Sequence, residues 1–465
     1  MNIRRSLFSY RNNNRLIIVI VGVLAIAFSL LINNLLLPSL FYDHISAAYI
    51  KAVPTAGGPT FSDPNLKTQL IFKGLHNPTS MAFLGPNDIL VLEKNTGNVI
   101  RIVNGKMSGP PLLHVNVATQ VERGLLGIAI QKSANIHAPI YVFLYYTEAG
   151  SSNTPVGNRL YRYELANNNQ QLVNPKLLLD LPGTPSPGGE GNHNGGKVII
   201  GPDHNLYVVI GDVGDHRGQA QNVMNGPPLD GTGGILRVTQ DGLPVANPPL
   251  GAGASVGGGG TTGNMMKYYY AYGIRNSFGM AFDPVTRILW DTENGPSYGD
   301  EINLVNPGLN SGWTKIQGIW QATGGSGGAG PVAPLHPSNL VDFSGKGAYR
   351  TPEFAWLQEI APTSLTFLNS SKLGKQYQDD MFVGDVLYGN IYDFKLDQNR
   401  TGLLLSGPLA GKVAHTTSEL AGVIFGKGFG LTTDIQVGPD GYLYVLSYTG
   451  GTIYKIVPSS SLSGP

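Results

Sequence analysis

Residues 437–457 read VGPDGYLYVLSYTGGTIYKIV: a Gly-Pro-Asp-Gly turn, then an apolar run rich in β-branched and aromatic residues, then a second turn and a second run. Related stretches recur along the chain. LGPNDILVLEKNTGNVIRIVNG begins at Leu84, IGPDHNLYVVIGD at Ile200 and FDPVTRILWDTENG at Phe282, while APIYVFLYY from Ala138 and DDMFVGDVLYGNIYDFKLD from Asp379 are less regular members. Strand-turn-strand units of this kind cannot each bury both faces alone, so they stack in a ring. The pattern predicts an all-β, six-bladed β-propeller over residues 66–458, with blades of uneven length. The turn prolines at 86, 139, 202, 284 and 439 are spaced too irregularly for a short-period repeat family. Gly-rich insertions at 251–263 and 322–334 read as loops, because neither joins a strand to a helix as a phosphate cradle would.

Composition agrees with a turn-rich body. Of 465 residues, 42% are hydrophobic, enough for a large core, and 63 glycines with 32 prolines supply many turns. The net charge is +1 and no basic run lies beyond the N-terminus, which leaves no electrostatic footprint for nucleic acid. Cysteine is absent, so disulfides, thiolate metal sites and cysteine nucleophiles are excluded.

Arg4, Arg5, Arg11 and Arg15 precede an uncharged stretch from Leu16 to Tyr42 that opens with LIIVIVGVLAIAFSLLI. A positive flank followed by nearly pure hydrocarbon predicts a transmembrane helix within residues 1–42, with the arginines inside and the body exported. Ser46-Ala47-Ala48 offers a cleavage site, in which case the segment is a signal sequence and the body is secreted. Residues 43–65 read as a linker and 459–465 as a disordered tail.

Two segments carry candidate chemistry. In NHNGGKVIIGPDHNLYVVIGDVGD, from Asn192 to Asp215, His193 lies in a Gly-rich turn, 197–200 and 206–210 read as the strands of a hairpin, and Asp212 closes the return. An antiparallel return of that length brings the Asp212 carboxylate to the His193 imidazole, the arrangement of a general base and its orienting acid. The bland alternative is a solvated turn histidine and a turn-forming aspartate. The second segment, from Tyr272 to Trp313, holds Arg275, Asn276, Glu293-Asn294-Gly295-Pro296 and Asp300-Glu301. It offers a cationic fork for a carboxylate or quinone oxygen, and oxygens for a hard cation such as calcium. Its alternative is structural, with Arg275 paired to Asp300 or Glu301 between neighbouring blades.

Taken in order, GLLGIAI from Gly124, HNGGKVIIGPD from His193, GDVGD from Gly211, YGIRNSFGMAF from Tyr272, ENGPSYGDEINL from Glu293, APTSLTFL from Ala361 and VGPDGYLYVL from Val437 resemble the glucose/sorbosone dehydrogenase family. These are soluble quinoproteins that use pyrroloquinoline quinone (PQQ) and Ca2+ on a six-bladed propeller. The resemblance implies oxidation of the anomeric carbon of an aldose sugar to the lactone, with electrons passing to an external acceptor. It implies that His193 is the base, Asp212 its orienting acid, and Arg275 and Asn276 the contacts to the quinone region. It also implies that the Gly295 and Pro296 carbonyls bind calcium, that Glu122 stands where some members place a cofactor-contacting glutamine, and that Lys372 binds a cofactor carboxylate. The chain departs from the family in FVGDVLYGNIYDF, where Asp385, Leu387 and Tyr388 replace expected basic residues. Trp313 and Trp356 read as inter-blade packing or as stacking surfaces for a ring. Two other functions fit the same residues. A calcium-dependent lactonase or hydrolase would hold its metal with several carboxylates, and a non-catalytic extracytoplasmic binding propeller would keep the fold and lose the cofactor contacts.

Overall fold

The computed structural model describes residues 54, 55, 57–132, 138–166, 170–185, 190–252, 265–322 and 339–462. The membrane segment expected within 1–42, most of the linker and most of both Gly-rich insertions lie outside these residues. Among the described residues no helix is long and apolar enough to cross a membrane.

The fold is an all-β propeller. Six sheets of four or more strands, with one separate two-stranded ribbon, account for the described strands. Their innermost strands are Pro78–Gly85, Leu125–Gln131, Val198–Ile200, Ser277–Phe282, Pro362–Phe367 and Thr432–Val437. Each touches the next, and Thr432–Val437 returns to Pro78–Gly85, closing the ring. Closure is made by the two ends of the body: Leu66–Lys73 pairs antiparallel with Thr452–Pro458, in the register Leu66 to Pro458.

The turn that recurs in the sequence has a physical cause visible at two of its copies. In 201–207, Gly201 N donates to Asn205 O at 2.8 Å, Asp203 Oδ1 accepts Asn205 N at 3.1 Å, and Tyr207 Oη donates to Asp203 Oδ2 at 3.1 Å. In 438–444 the same bonds join Gly438 N to Tyr442 O at 2.9 Å, Tyr442 N to Asp440 Oδ1 at 3.3 Å and Tyr444 Oη to Asp440 Oδ2 at 2.9 Å. Glycine is required at the head of each turn because a Cβ there would sit 2.5 Å from the Tyr207 ring or 2.4 Å from the Tyr444 ring. The aspartate satisfies the turn backbone and the tyrosine hydroxyl together, so the tyrosine body can enter the core.

The strands after these turns, Leu206–Ile210 and Leu443–Ser447, are buried along their whole length because a neighbouring sheet covers each face. Between sheets the core is aromatic and aliphatic: Tyr145, Leu160, Val208, Leu236 and Tyr272 form part of one cluster, Trp290, Phe354, Trp356 and Phe394 part of another. Each such side chain contributes about 1.5–3 kcal/mol by leaving water.

Two boundaries differ from the sequence reading. Thr60–Phe61, expected in the linker, is a strand paired with Ile424–Lys427, and Phe61 packs edge-on against Phe425 and Phe429. Ser459–Leu462, expected as disordered tail, forms a 3-10 turn whose Ser459 N donates to Asn65 O at 2.6 Å. In both places a short stretch finds backbone partners at an edge of the ring, and at the first an aromatic side chain packs there as well.

Candidate active site

His193 lies in the loop before the innermost strand Val198–Ile200, Arg275 and Asn276 lie just before Ser277–Phe282, Asp212 follows Leu206–Ile210, and Glu293 ends Leu289–Glu293 with Asn294-Gly295 after it. The loops that carry them meet at one end of the ring. At the centre Gly211 is so crowded that a Cβ would lie 2.5 Å from Arg275 O, 2.6 Å from His193 O and 3.0 Å from Asn276 Oδ1. A residue with any side chain would drive the three apart.

The hairpin forms as its pattern predicts, with Val198 opposite Val208 and Ile200 opposite Leu206. His193 Nδ1 then lies 2.6 Å from Asp212 Oδ1, so the neutral ring carries its proton on Nδ1 toward the acceptor-only carboxylate. Nε2 has no protein partner among the described residues. His193 is 7% exposed and adopts φ 59°, a left-handed conformation unusual for this side chain. A bond from its own backbone offsets that strain: His193 N donates to Glu122 Oε2 at 2.6 Å, and the same oxygen accepts Asn276 Nδ2 at 3.1 Å and Asn194 N at 3.4 Å.

Asp212 is fully buried. Burial works to raise its pKa, but the charge and hydrogen bond of His193, the Arg275 charge and the Trp313 N–H outweigh it and hold the carboxyl below its ordinary value. Trp313 Nε1 donates to Asp212 Oδ2 at 2.8 Å, and Asp215 N to Oδ1 at 3.2 Å. The Trp313 contact was not visible in the sequence; the only signal is that a buried indole N–H seeks an acceptor.

Arg275 does not form the ion pair that the structural alternative requires. Its backbone N donates to Glu293 Oε1 at 2.7 Å, and Nη1 donates to the carbonyls of Asn294 at 3.1 Å and Gly295 at 2.8 Å. Asp300 is occupied elsewhere, accepting Gly295 N at 2.9 Å, Ile360 N at 2.7 Å and Ala361 N at 2.8 Å. Burial lowers the Arg275 pKa against the opposing pull of Asp212, Glu122, Asp300 and Glu293, yet a guanidinium stays charged at neutral pH. Its Nε and Nη2 have no partner among the described residues. Beside it, Glu293 is pushed up to about 7 by burial, and Ser311 Oγ donates to its Oε2 at 2.6 Å.

Several expected roles change. Lys372 is exposed and lies after the far end of Pro362–Phe367, against Gly441 of the turn before Leu443–Ser447. It is one strand length from the His193 end, since alternate ends of a strand serve opposite faces of the ring. Asn276 spends both ends of its amide on the protein, donating to Glu122 and accepting Gly195 N at 3.3 Å. The Gly295 carbonyl, expected to face calcium, already accepts the Arg275 cation, and among the described residues no group of three or more His, Asp or Glu is arranged to hold a metal ion. Pro296 is half-buried beside it. Asp385 turns into its own loop, accepting Tyr388 N at 2.6 Å, Gly389 N at 2.8 Å and Tyr392 Oη at 2.7 Å.

Two cations that sequence reasoning missed flank the His193 loop. Lys94, 9% exposed, donates to Val121 O at 2.9 Å and Asn95 Oδ1 at 3.1 Å. Its pKa is lowered to about 8 by burial, against the pull of Glu122. Arg123, 3% exposed, donates to Gly183 O through Nε at 3.3 Å and Nη2 at 3.2 Å, and to Gln120 Oε1 through Nη1 at 3.4 Å. Their hydrogen bonds all go to neutral oxygens.

A buried His-Asp pair and a buried arginine thus lie together at one end of the propeller ring. The chain belongs to the glucose/sorbosone dehydrogenase family, whose model matches residues 75–455. It is 27% identical over 406 residues to an uncharacterized protein of Synechocystis, covering 83% of this chain and 85% of that one. It is 26% identical over 391 residues to the aldose sugar dehydrogenase YliI of Escherichia coli, covering 83% and 91%. The PQQ-bound form of an aldose sugar dehydrogenase from Streptomyces coelicolor shares the fold, with a TM-score of 0.57 at 21% identity over 87% of this chain and 99% of that one.

Proposed function

We propose that this protein is a quinoprotein dehydrogenase that oxidises the anomeric carbon of an aldose to the lactone. With one blade assigned to each of the six sheets, the reading is of a six-bladed member of the family. The observation that carries it is the 2.6 Å bond from His193 Nδ1 to Asp212, which leaves Nε2 as the basic atom at the open end of the ring.

The residues fit the implied groups in charge. PQQ, when bound, supplies the hydride acceptor, and calcium supplies Lewis acidity beside it. Among the described residues Arg275 has Nη2 and Nε unspent, and Lys94 and Arg123 are buried cations bonded only to neutral oxygens, a state that favours an anionic ligand over none. These cations stand in for the basic residues absent at Asp385, Leu387 and Tyr388. The Gly295 carbonyl keeps one lone pair beyond the one that Arg275 uses, so with Pro296 it can still hold calcium.

His193 Nε2 accepts the proton of the anomeric hydroxyl. Asp212 meets the imidazolium that forms, and because His193, Arg275 and the Trp313 N–H hold its pKa below the ordinary value in spite of burial, it stays ionised. Arg275 directs positive charge at the region where negative charge develops, in a setting with little water to screen it. Glu122 clamps the backbone of the base and so takes a positioning role in place of the cofactor contact that the resemblance implies. The arginines before residue 16 and the apolar stretch after them support an exported body, anchored in the membrane or released, that passes its electrons to an external acceptor.

The test is His193→Ala. Turnover of aldose with a dye acceptor should be lost while quinone binding, followed by absorbance, is kept. Near-normal turnover would remove His193 from the role of base.

A further inference from the structure

We propose that Trp313 is a positioning residue that decides which side of the Asp212 carboxyl serves His193; the catalytic meaning of this rests on the reading of His193 as the base. Of the four tryptophans, Trp290 and Trp356 leave their buried Nε1 without a partner among the described residues, whereas Trp313 commits its own to Asp212 Oδ2 at 2.8 Å. The indole is 3% exposed and cannot swing away. Trp313 N donates to Gly273 O at 2.9 Å, and its carbonyl accepts Asn222 Nδ2 at 2.8 Å. Asn222 is held in turn by reciprocal amide bonds with Asn310 at 2.9 and 2.7 Å. On the ring face of Trp313 the Arg275 guanidinium lies 5.5 Å from the centroid, so one side chain touches both the acid that orients the base and the cation opposite it.

The N–H demands an acceptor at the Oδ2 position. Oδ1 is thereby left for His193 Nδ1 and for the longer contact from Asp215 N at 3.2 Å. With a carboxylate both positions accept, and the demand is invisible. With an amide it is not: in Asp212→Asn the shorter Trp313 bond draws the amide oxygen to the Oδ2 position and presents NH2 to His193. The ring must then accept at Nδ1 and carry its proton on Nε2, the wrong tautomer for a base. Removing the indole N–H as well, in Asp212→Asn with Trp313→Phe, leaves Asp215 N as the deciding donor. The amide oxygen returns to the His193 side, and the ring proton returns to Nδ1.

The experiment is 15N NMR of the full-length protein with labelled histidine and tryptophan, without cofactor or sugar. The expected result is Nδ1–H in the parent, Nε2–H in Asp212→Asn and Nδ1–H again in the double variant. The same tautomer in single and double variants would overturn the proposal. Should the double variant fail to fold, the Trp313 indole N–H resonance is compared in the parent and Asp212→Ala. Loss of its protection from exchange in Asp212→Ala supports the contact, and an unchanged resonance overturns it. In turnover, Trp313→Phe should lower kcat about tenfold with KM little changed, the order expected for one hydrogen bond to a charged group. Because the NMR arms need no turnover, a failure of the dehydrogenase reading leaves them standing.

Discussion

Asp212→Asn keeps the size of a fully buried side chain, removes its charge and turns one acceptor oxygen into an NH2 donor. Two losses follow. The imidazolium formed during proton transfer no longer meets an anion at 2.6 Å, and the Trp313 N–H at 2.8 Å turns the amide so that the His193 proton moves to Nε2. A base whose accepting nitrogen is already protonated contributes nothing, so the full worth of general base catalysis is lost, about 10²–10⁴ in kcat. KM should change little, because Asp212 is covered by His193, Trp313 and the Arg275 backbone. The assay is steady-state dye reduction with saturating aldose, after loading with PQQ and calcium. A kcat within about threefold of the parent, with quinone binding intact, would refute the reasoning, since it would mean that proton transfer needs neither the charge nor the tautomer.

Three further outcomes follow from the same geometry. Glu122→Ala removes the acceptor of His193 N, Asn194 N and Asn276 Nδ2, and should lower unfolding free energy by about 2 kcal/mol in denaturant titration, with Glu122→Gln recovering part of it. Burial raises Asp385 to about 7, so between its unfolded value near 4 and pH 7 the folded state holds the extra proton, and stability falls as pH rises through that window. Asp385→Asn should flatten this slope, by about 3 kcal/mol at most, in melts compared at pH 5 and pH 8. Lys94→Met should weaken quinone binding about tenfold without changing the His193 tautomer, because the Lys94 ammonium bonds to Val121 O and Asn95 Oδ1 and not to the ring; equal affinity would remove Lys94 from the cofactor's surroundings.

The His193 to Asp212 distance was legible because both residues belong to one short hairpin, whose register follows from two apolar strands and a Gly-Pro-Asp turn. Arg275 was legible as a cation but not in its pairing. Whether it bonds to Asp300 or to carbonyls depends on the Ile360 and Ala361 amides, some sixty residues on, which claim Asp300 first. Lys372 was misplaced because motif order along a strand does not say at which end of the ring a loop emerges. The bond from Trp313 to Asp212, and the cations Lys94 and Arg123, were missed because their meaning arises only when loops from different sheets converge. The edge pairing of Thr60–Phe61 was missed for a similar reason: a two-residue strand has no period to read.

Binding of a quinone that oxidises sugar is tested most directly by one measurement. The full-length protein is titrated with PQQ in the presence of calcium, followed by absorbance, and the loaded protein is then mixed with an aldose and a dye acceptor. The account predicts saturable binding of one quinone per chain and dye reduction that requires the sugar. Absence of quinone binding, together with absence of sugar-dependent dye reduction, would contradict it.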